Sequence, residues 1–285
     1  MSKLLFYILI KPISYLPYRI LYAISDILFI IIFYIIPYRK KVVINNLINA
    51  FPKKSSQEIN QLARNFYCHL CDLVVESIKL FSISEAEAIK RFRFLNPELL
   101  QKYYDQGKDV ILVGGHYNNW ELLAVAINNL VPHQCVGIYT PLSNPFFEKK
   151  MKLSRSKYGL KMITKREVPS FFAEKHNEPQ ATIFGADQSP TYSKKVYWTT
   201  FLNQDTAVAL GTERFSKKYD LPVIYCSINK DKRGFYSSKF ALITETPKTT
   251  NDGEITQMHT SALEKQIIQK PEFWLWTHKR WKRKR

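Results

Sequence analysis

The chain predicts an α/β fold, a mixed central sheet flanked by helices, preceded by an N-terminal membrane-associated helical segment. Three observations carry this expectation. Short runs rich in β-branched residues alternate with stretches of helical period, the pattern of one α/β domain. At 285 residues with 46% hydrophobic content, the chain is long enough to bury a full core and carry an appendage. Its first 41 residues are dominated by apolar side chains and close on a basic cluster, so the expected division is an anchor over 1–41 and a globular domain over 42–285.

Taken in order, Leu4–Ile10 and Leu21–Ile36 are apolar, and the second run approaches the roughly twenty residues needed to cross a bilayer, although Ser25 and Asp26 interrupt it. Pro37-Tyr38-Arg39-Lys40-Lys41 follows in place of a small-residue cleavage site, which reads as a basic stop and puts the remainder on the cytoplasmic side. Lys3, Lys11 and Arg19 make the other flank basic as well, so a helical hairpin or a helix lying in the leaflet is as credible as a single span. Ser55-Ser-Gln-Glu58 is a capping box opening a helix with apolar positions at Ile59, Leu62, Ala63, Phe66, Leu70, Leu73, Val74 and Ile78. Ser84 and Asn96-Pro97 mark two more helix starts. Strands are expected at Asp109–Val113, Gln134–Tyr139, Leu160–Thr164, Ala181–Gly185, Leu221–Ile228 and Ser237–Thr244. Helices are expected at Pro145–Tyr158, Val168–His176, Thr206–Tyr219 and Glu254–Gln269.

The net charge of +18 and a pI near 9.6 call for an anionic partner: nucleic acid, an anionic membrane leaflet or an acidic carrier protein. Four cysteines in a chain of this length do not make a disulfide framework, which points to a reducing compartment. Cys68 and Cys71 form a lone C-x2-C on an amphipathic helix and fit packing better than zinc; Cys135 and Cys226 fall in strand-like runs and fit the core.

The stretch with most chemistry is Val113-Gly-Gly-His116-Tyr-Asn-Asn119-Trp120-Glu121, a strand-to-helix junction. Two glycines allow a sharp turn there, and the helix start favours negative charge. Glu121 lies about one helical turn past His116, within reach to accept the ring N–H and fix its tautomer, leaving the other nitrogen as a base. Glu121 would also be favoured at a helix start by the dipole alone, as would Arg155 near a helix C-terminus. As a fork of donors Arg155 is suited to a phosphate or carboxylate. Asp187-Gln188 sits at a strand end, where α/β sheets place their sites. The loop Ser189–Asn203 holds Tyr192, Lys194, Lys195, Tyr197, Trp198 and Phe201, a mixture suited to stacking bases or to a lipid interface. Lys279–Arg285 holds six cations, a solvated tail, a second contact with an anionic leaflet or a dock for an acidic carrier protein.

Gly115-His116-Tyr-Asn-Asn119-Trp120-Glu121 resembles the first motif of the lysophospholipid acyltransferase superfamily, and its Asn-Trp-Glu ending is similar to the branch of late acyltransferases that add secondary acyl chains to lipid A. Arg155-Ser-Lys-Tyr-Gly159, Gly185-Ala-Asp187-Gln188 and Phe273-Trp-Leu-Trp276-Thr-His278-Lys-Arg280-Trp281 resemble three further elements of that branch, in order, over a span from about Leu16 to the end. The resemblance implies a glycerolipid acyltransferase-like fold with the catalytic domain over 42–285. It implies a membrane-bound enzyme at the bacterial inner membrane, its catalytic domain on the cytoplasmic side. The donor would be an acyl carrier protein thioester, and the acceptor a hydroxyl of a lipid A precursor or similar glycolipid. His116 and Glu121 would be catalytic, with Arg155, Asp187, Gln188, Asn119 and Trp120 binding substrate; no metal or cofactor is needed. No Phe-Pro-Glu-Gly element is present, which speaks against glycerol 3-phosphate as acceptor. Two rivals remain. One is the same chemistry on an amino-acid lipid or lysophospholipid. The other is a non-enzymatic basic protein binding membrane or nucleic acid, which accounts for the charge but not for the ordered motifs, so no nucleic-acid partner is expected.

Overall fold

The computed structural model describes residues 2–191 and 195–285, so Tyr192 and Lys194 of the aromatic and cationic loop lie outside the described residues. Two N-terminal helices, α1 over 2–15 and α2 over 18–35, are interrupted by Pro17. Then follow α3 (Lys40–Ala50), α4 (Ser56–Lys79), α5 (Glu85–Arg91), β1 (Phe92–Phe94), α6 (Glu98–Tyr104), β2 (Val110–Gly114) and α7 (Trp120–Ala126). The chain continues through β3 (Gln134–Tyr139), α8 (Pro145–Ser156), β4 (Lys161–Thr164), α9 (Val168–Ala173) and β5 (Gln180–Gly185). It ends with β6 (Val196–Phe201), β7 (Gln204–Ala209), α10 (Gly211–Tyr219), β8 (Val223–Lys232), β9 (Phe235–Thr244) and α11 (Glu254–Gln269).

The main sheet has seven strands in the order β1-β9-β8-β2-β5-β3-β4. β8, β2, β5, β3 and β4 are parallel; β9 runs antiparallel to β8, and β1 is parallel to β9, so the sheet is mixed as expected. Central β2 is the apolar run Val110-Ile-Leu-Val113, buried on both faces, as a parallel strand covered by helices requires. One core layer on one face of the sheet joins Ile111, Val113 and Tyr225 to α3, α4 and the C-terminal tryptophans. A second joins Val110, Leu112 and Ile224 to α6 and α7 on the other. The carboxyl ends of β2 and β5 meet at Gly114 and Gly185 in register. The site forms beyond them, in the crevice that open α/β sheets offer their ligands.

The capping box at the start of α4 forms with both of its bonds, Ser55 Oγ accepting from the Glu58 N–H and the Glu58 carboxylate from the Ser55 N–H. Ser84 caps α5 through the same side-chain bond, accepting from the Glu87 N–H. Asn96 does not cap α6; it exchanges two hydrogen bonds with Phe240 and fixes edge strand β1 to β9. The expected helix Thr206–Tyr219 is shorter than its apolar pattern implied. Thr206–Ala209 belongs to β7, which pairs antiparallel with β6 in a separate hairpin, and the helix begins at Gly211. Thr206, Ala207 and Val208 are consecutive buried residues, a run that periodicity cannot assign to strand or helix. Cys71, Cys135 and Cys226 are buried, whereas Cys68 is exposed on the outer side of α4. The basic tail is only partly solvated: Arg280 and Trp281 are buried, bonded to the Ala207 carbonyl and to Thr206 Oγ1.

Candidate active site

The His116 junction is built differently from the expectation. Neither Gly114 nor Gly115 adopts a positive φ; the left-handed residue is Asn118, at φ 53°. Its strain is balanced by two hydrogen bonds, from its side-chain amide to the Ile228 carbonyl (2.8 Å) and from its N–H to the Phe273 carbonyl (2.9 Å). Gly115 serves close approach instead: a Cβ there would come 3.2 Å from the Asp187 carboxyl carbon and 2.8 Å from Leu263.

Asp187, not Glu121, holds the imidazole. His116 Nδ1 lies 2.7 Å from Asp187 Oδ1. The second oxygen, Oδ2, accepts from the His116 backbone N–H at 2.8 Å and from Trp274 Nε1 at 2.9 Å. The Asp187 side chain is 3% exposed and the His116 side chain 26%, so the carboxylate is sealed beneath a ring that reaches the surface. Burial alone would raise the Asp187 pKa, but the imidazole charge and the three donors more than offset it and hold it at about 2. Burial likewise works against charge on His116, and the Asp187 charge and hydrogen bond outweigh it, so its pKa lies above the ordinary histidine value. With Nδ1 held by a carboxylate, the ring presents Nε2, 3.3 Å from the Gln188 side-chain amide.

Glu121 faces Arg155. Arg155 Nε donates to Oε2 at 2.7 Å and Nη2 to Oε1 at 2.5 Å, a bidentate pair that leaves the Nη1 donors for another acceptor. The reason for the change of partner is chain direction. After Asn118 the backbone turns to start α7, and Glu121 in its first turn points to the C-terminal end of α8, where Arg155 stands. Trp120 packs edge-on against His116, centroids 5.2 Å apart, and donates to Glu121 Oε1 at 3.2 Å. Asn119 does not reach the site, contrary to the expectation that it binds substrate. It is 2% exposed and caps α7, its Oδ1 accepting from the Leu122 N–H at 2.8 Å and its Nδ2 donating to Glu76 at 2.6 Å.

His116, Trp120, Glu121, Arg155 and Gln188 line one cavity of about 370 Å3, within the usual range for a small-molecule pocket. Its inner wall is apolar: Leu123, Ala124, Ile138, Leu160, Met162, Ile183, Phe184, Cys226 and Ile228. Glu148, Lys152 and Arg155 of α8 bring its charged lining. The arrangement can hold an apolar chain with its reactive end beside an oriented imidazole and polar donors. Among the described residues no group of three or more His, Cys, Asp or Glu side chains is placed to hold a metal ion.

Two parts of the site were not assigned roles by sequence reasoning. The Phe273–Trp281 stretch was visible as a motif, and its role is structural support: Trp274 bonds Asp187, its backbone bridges to Tyr117, and the Phe273 carbonyl holds Asn118. Glu76 was missed; its only signal was an acidic residue on the buried side of an amphipathic helix.

A sequence profile for the family described as bacterial lipid A biosynthesis acyltransferase matches residues 2–283. The lipid A biosynthesis palmitoleoyltransferase of Escherichia coli (strain K12) is 21% identical over 246 residues, covering 86% of this chain and 79% of that protein. The lipid A biosynthesis lauroyltransferase of the same organism is 21% identical over 269 residues, covering 94% and 87%. With the profile spanning nearly the whole chain, this protein belongs to the bacterial lipid A biosynthesis acyltransferase family and is an acyltransferase.

Proposed function

We propose that this protein moves a fatty acyl chain from an acyl carrier protein thioester to a hydroxyl of a lipid A precursor. The observation that carries the mechanism is the imidazole of His116, held at Nδ1 by a buried carboxylate and open at Nε2 to an apolar cavity. In this reading Nε2 removes the proton of the acceptor hydroxyl as its oxygen bonds to the thioester carbonyl carbon. Asp187 stabilises the imidazolium that forms. The tetrahedral oxyanion is met by donors already in the cavity, the Gln188 amide and the cationic side chains of Arg155 and Lys152. The carbon–sulfur bond then breaks, and the proton on His116 goes to the departing thiolate. The acyl chain occupies the pocket lined by Leu123, Leu160, Met162 and Ile183, and the Glu121–Arg155 pair supports binding of an acidic group on donor or acceptor. Both substrates are anionic, which fits the charge of +18.

We also infer that the N-terminal helices lie in the leaflet and do not cross it. Residues 18–35 are long and apolar enough to span. However, α2 packs lengthwise on α4, and polar contacts tie it to the globular domain along its length. Tyr22 bonds Glu76 at 2.9 Å, Ser25 bonds Asp72 at 2.8 Å, and Asp26 pairs with Arg233 at 2.6 Å. Just beyond its ends, Lys79 bonds the Leu16 carbonyl and Arg39 the Thr277 carbonyl. A spanning helix would drag these groups into hydrocarbon, where unpaired polar atoms are costly. The outer face, with Leu4, Ile8, Leu9, Ile27, Ile30, Tyr34 and Ile35 exposed, suits burial among acyl chains. α1 also packs beside α8, Phe6 against Phe146 and Tyr7 bonded to Lys150, which brings the leaflet close to the cavity rim.

The deciding measurement is the mass of cellular glycolipids with and without the gene, complemented by wild type or by His116→Ala. Lipid A short of one acyl chain in both the deletion and the variant is the expected result. Intact lipid A alongside an under-acylated amino-acid lipid or phospholipid would keep the chemistry and replace the acceptor. Near-normal transfer by purified, folded His116→Ala would overturn the base assignment.

A further inference from the structure

Glu76 is a buried carboxylate at a junction of three elements, and it stands outside the cavity lining. Its Oε1 accepts from Tyr22 on α2 at 2.9 Å; its Oε2 accepts from Tyr236 on β9 at 2.7 Å and from Asn119 at 2.6 Å. Burial raises its pKa, and the Tyr236 hydrogen bond together with the charge of Lys230 works against that rise. An apolar side chain of similar size would avoid the desolvation penalty altogether. What such a side chain could not do is orient the Asn119 amide. Asn119 must point its oxygen at the Leu122 N–H to start α7, and an amide whose nitrogen is held by a carboxylate has only that orientation available. Three residues upstream of Asn119 is His116; two residues downstream is Glu121.

We propose that Glu76 is a positioning residue for acyl transfer: by fixing the Asn119 amide it sets the turn that places His116 and Glu121 over the cavity, and through Tyr22 it links that turn to the docking of α2. This rests on the reading of His116 as the base. Glu76 touches no substrate, and its effect passes through the geometry of residues 116–121. That geometry is demanding, because displacement of a catalytic group by about an ångström costs on the order of a hundredfold in rate.

The test exchanges donor and acceptor across the Glu76–Asn119 hydrogen bond in the full-length, membrane-bound protein. Asn119→Asp places two carboxylates face to face while leaving an oxygen to cap α7, and kcat is expected to fall roughly tenfold to a hundredfold with KM within about twofold. Adding Glu76→Gln restores the bond in reverse, the introduced amide donating to the introduced carboxylate, and kcat is expected to return to within about fivefold of wild type. Both changes are nearly isosteric, and thermal unfolding establishes that each variant is folded. Tyr22→Phe, which cuts only the link to α2, should lower kcat by about threefold. A folded Asn119→Asp variant with normal kcat, or a folded double variant no faster than Asn119→Asp, overturns the proposal. His116→Ala is assayed in parallel. If it keeps normal activity, the reading of the base fails; if it is inactive and the exchange does not rescue, only the role of Glu76 fails.

Discussion

Two carboxylates flank His116, and they are held in opposite ways. Asp187 is sealed under the ring, bonded to the imidazole, a backbone N–H and an indole. Glu121 sits at the cavity wall and is matched by the guanidinium of Arg155 through two parallel hydrogen bonds. A carboxylate bonded to neutral donors and one imidazole keeps its negative charge directed at that imidazole, so it can stabilise a proton gained by the ring. A carboxylate already paired with arginine has most of its charge answered, and what it supplies is a rigid, correctly aimed cation. In the proposed mechanism the first of these carboxylates supports proton transfer and the second supports recognition.

The largest expected effect belongs to the ring that both flank. His116→Ala should reduce kcat by about 10³ to 10⁴, measured as transfer from acyl carrier protein to an under-acylated lipid A, since a general base contributes on that order. Asp187→Asn comes next, with a loss of about 10³-fold, because one amide cannot accept from His116 Nδ1 and also from the backbone and indole donors without setting an N–H against an N–H. It should also move the pH profile. The base must be neutral, so kcat/KM falls as pH drops through the His116 pKa, which lies above the ordinary value in the wild type. Removing the carboxylate withdraws the stabilisation of the imidazolium, lowers that pKa and shifts the acid limb to lower pH. Glu121→Gln sharpens the comparison. It should cost roughly tenfold to a hundredfold, chiefly in KM, with a smaller shift of the acid limb in the same direction. A Glu121→Gln profile displaced as far as that of Asp187→Asn, with a matching loss of kcat, would break this division of roles. The smallest effect is one of selectivity. Met162→Trp, filling the apolar inner wall, should favour a donor about two to four carbons shorter by about tenfold in kcat/KM while leaving the pH profile unchanged.

Much of this site was legible in the order of residues. His116, Arg155 and the Asp187-Gln188 pair stand at strand and helix ends that apolar periodicity marks, and the strands at 134–139 and 181–185 are found within a residue of their expected places. The partner of His116 was not legible. A spacing of four makes Glu121 a neighbour in one dimension, whereas Asp187 lies 71 residues away and arrives only because β2 and β5 pair in parallel register, Gly114 against Gly185. The β6–β7 hairpin was hidden for a related reason, since a short continuous apolar run has no period to read.

The sequence by itself determined the fold class, the family motifs and most of the chemistry-bearing side chains, because each of these depends on local pattern: strand-length apolar runs, caps, and short spacings within one element. Only the tertiary structure decided which acid holds which base, that Asn119 caps α7 away from the cavity lining, and that Glu76 stands behind the turn. Those are statements about distance between segments far apart in the chain. Such distances are set by strand pairing and by the need of every buried polar atom for a partner, and neither is written in any single stretch of sequence.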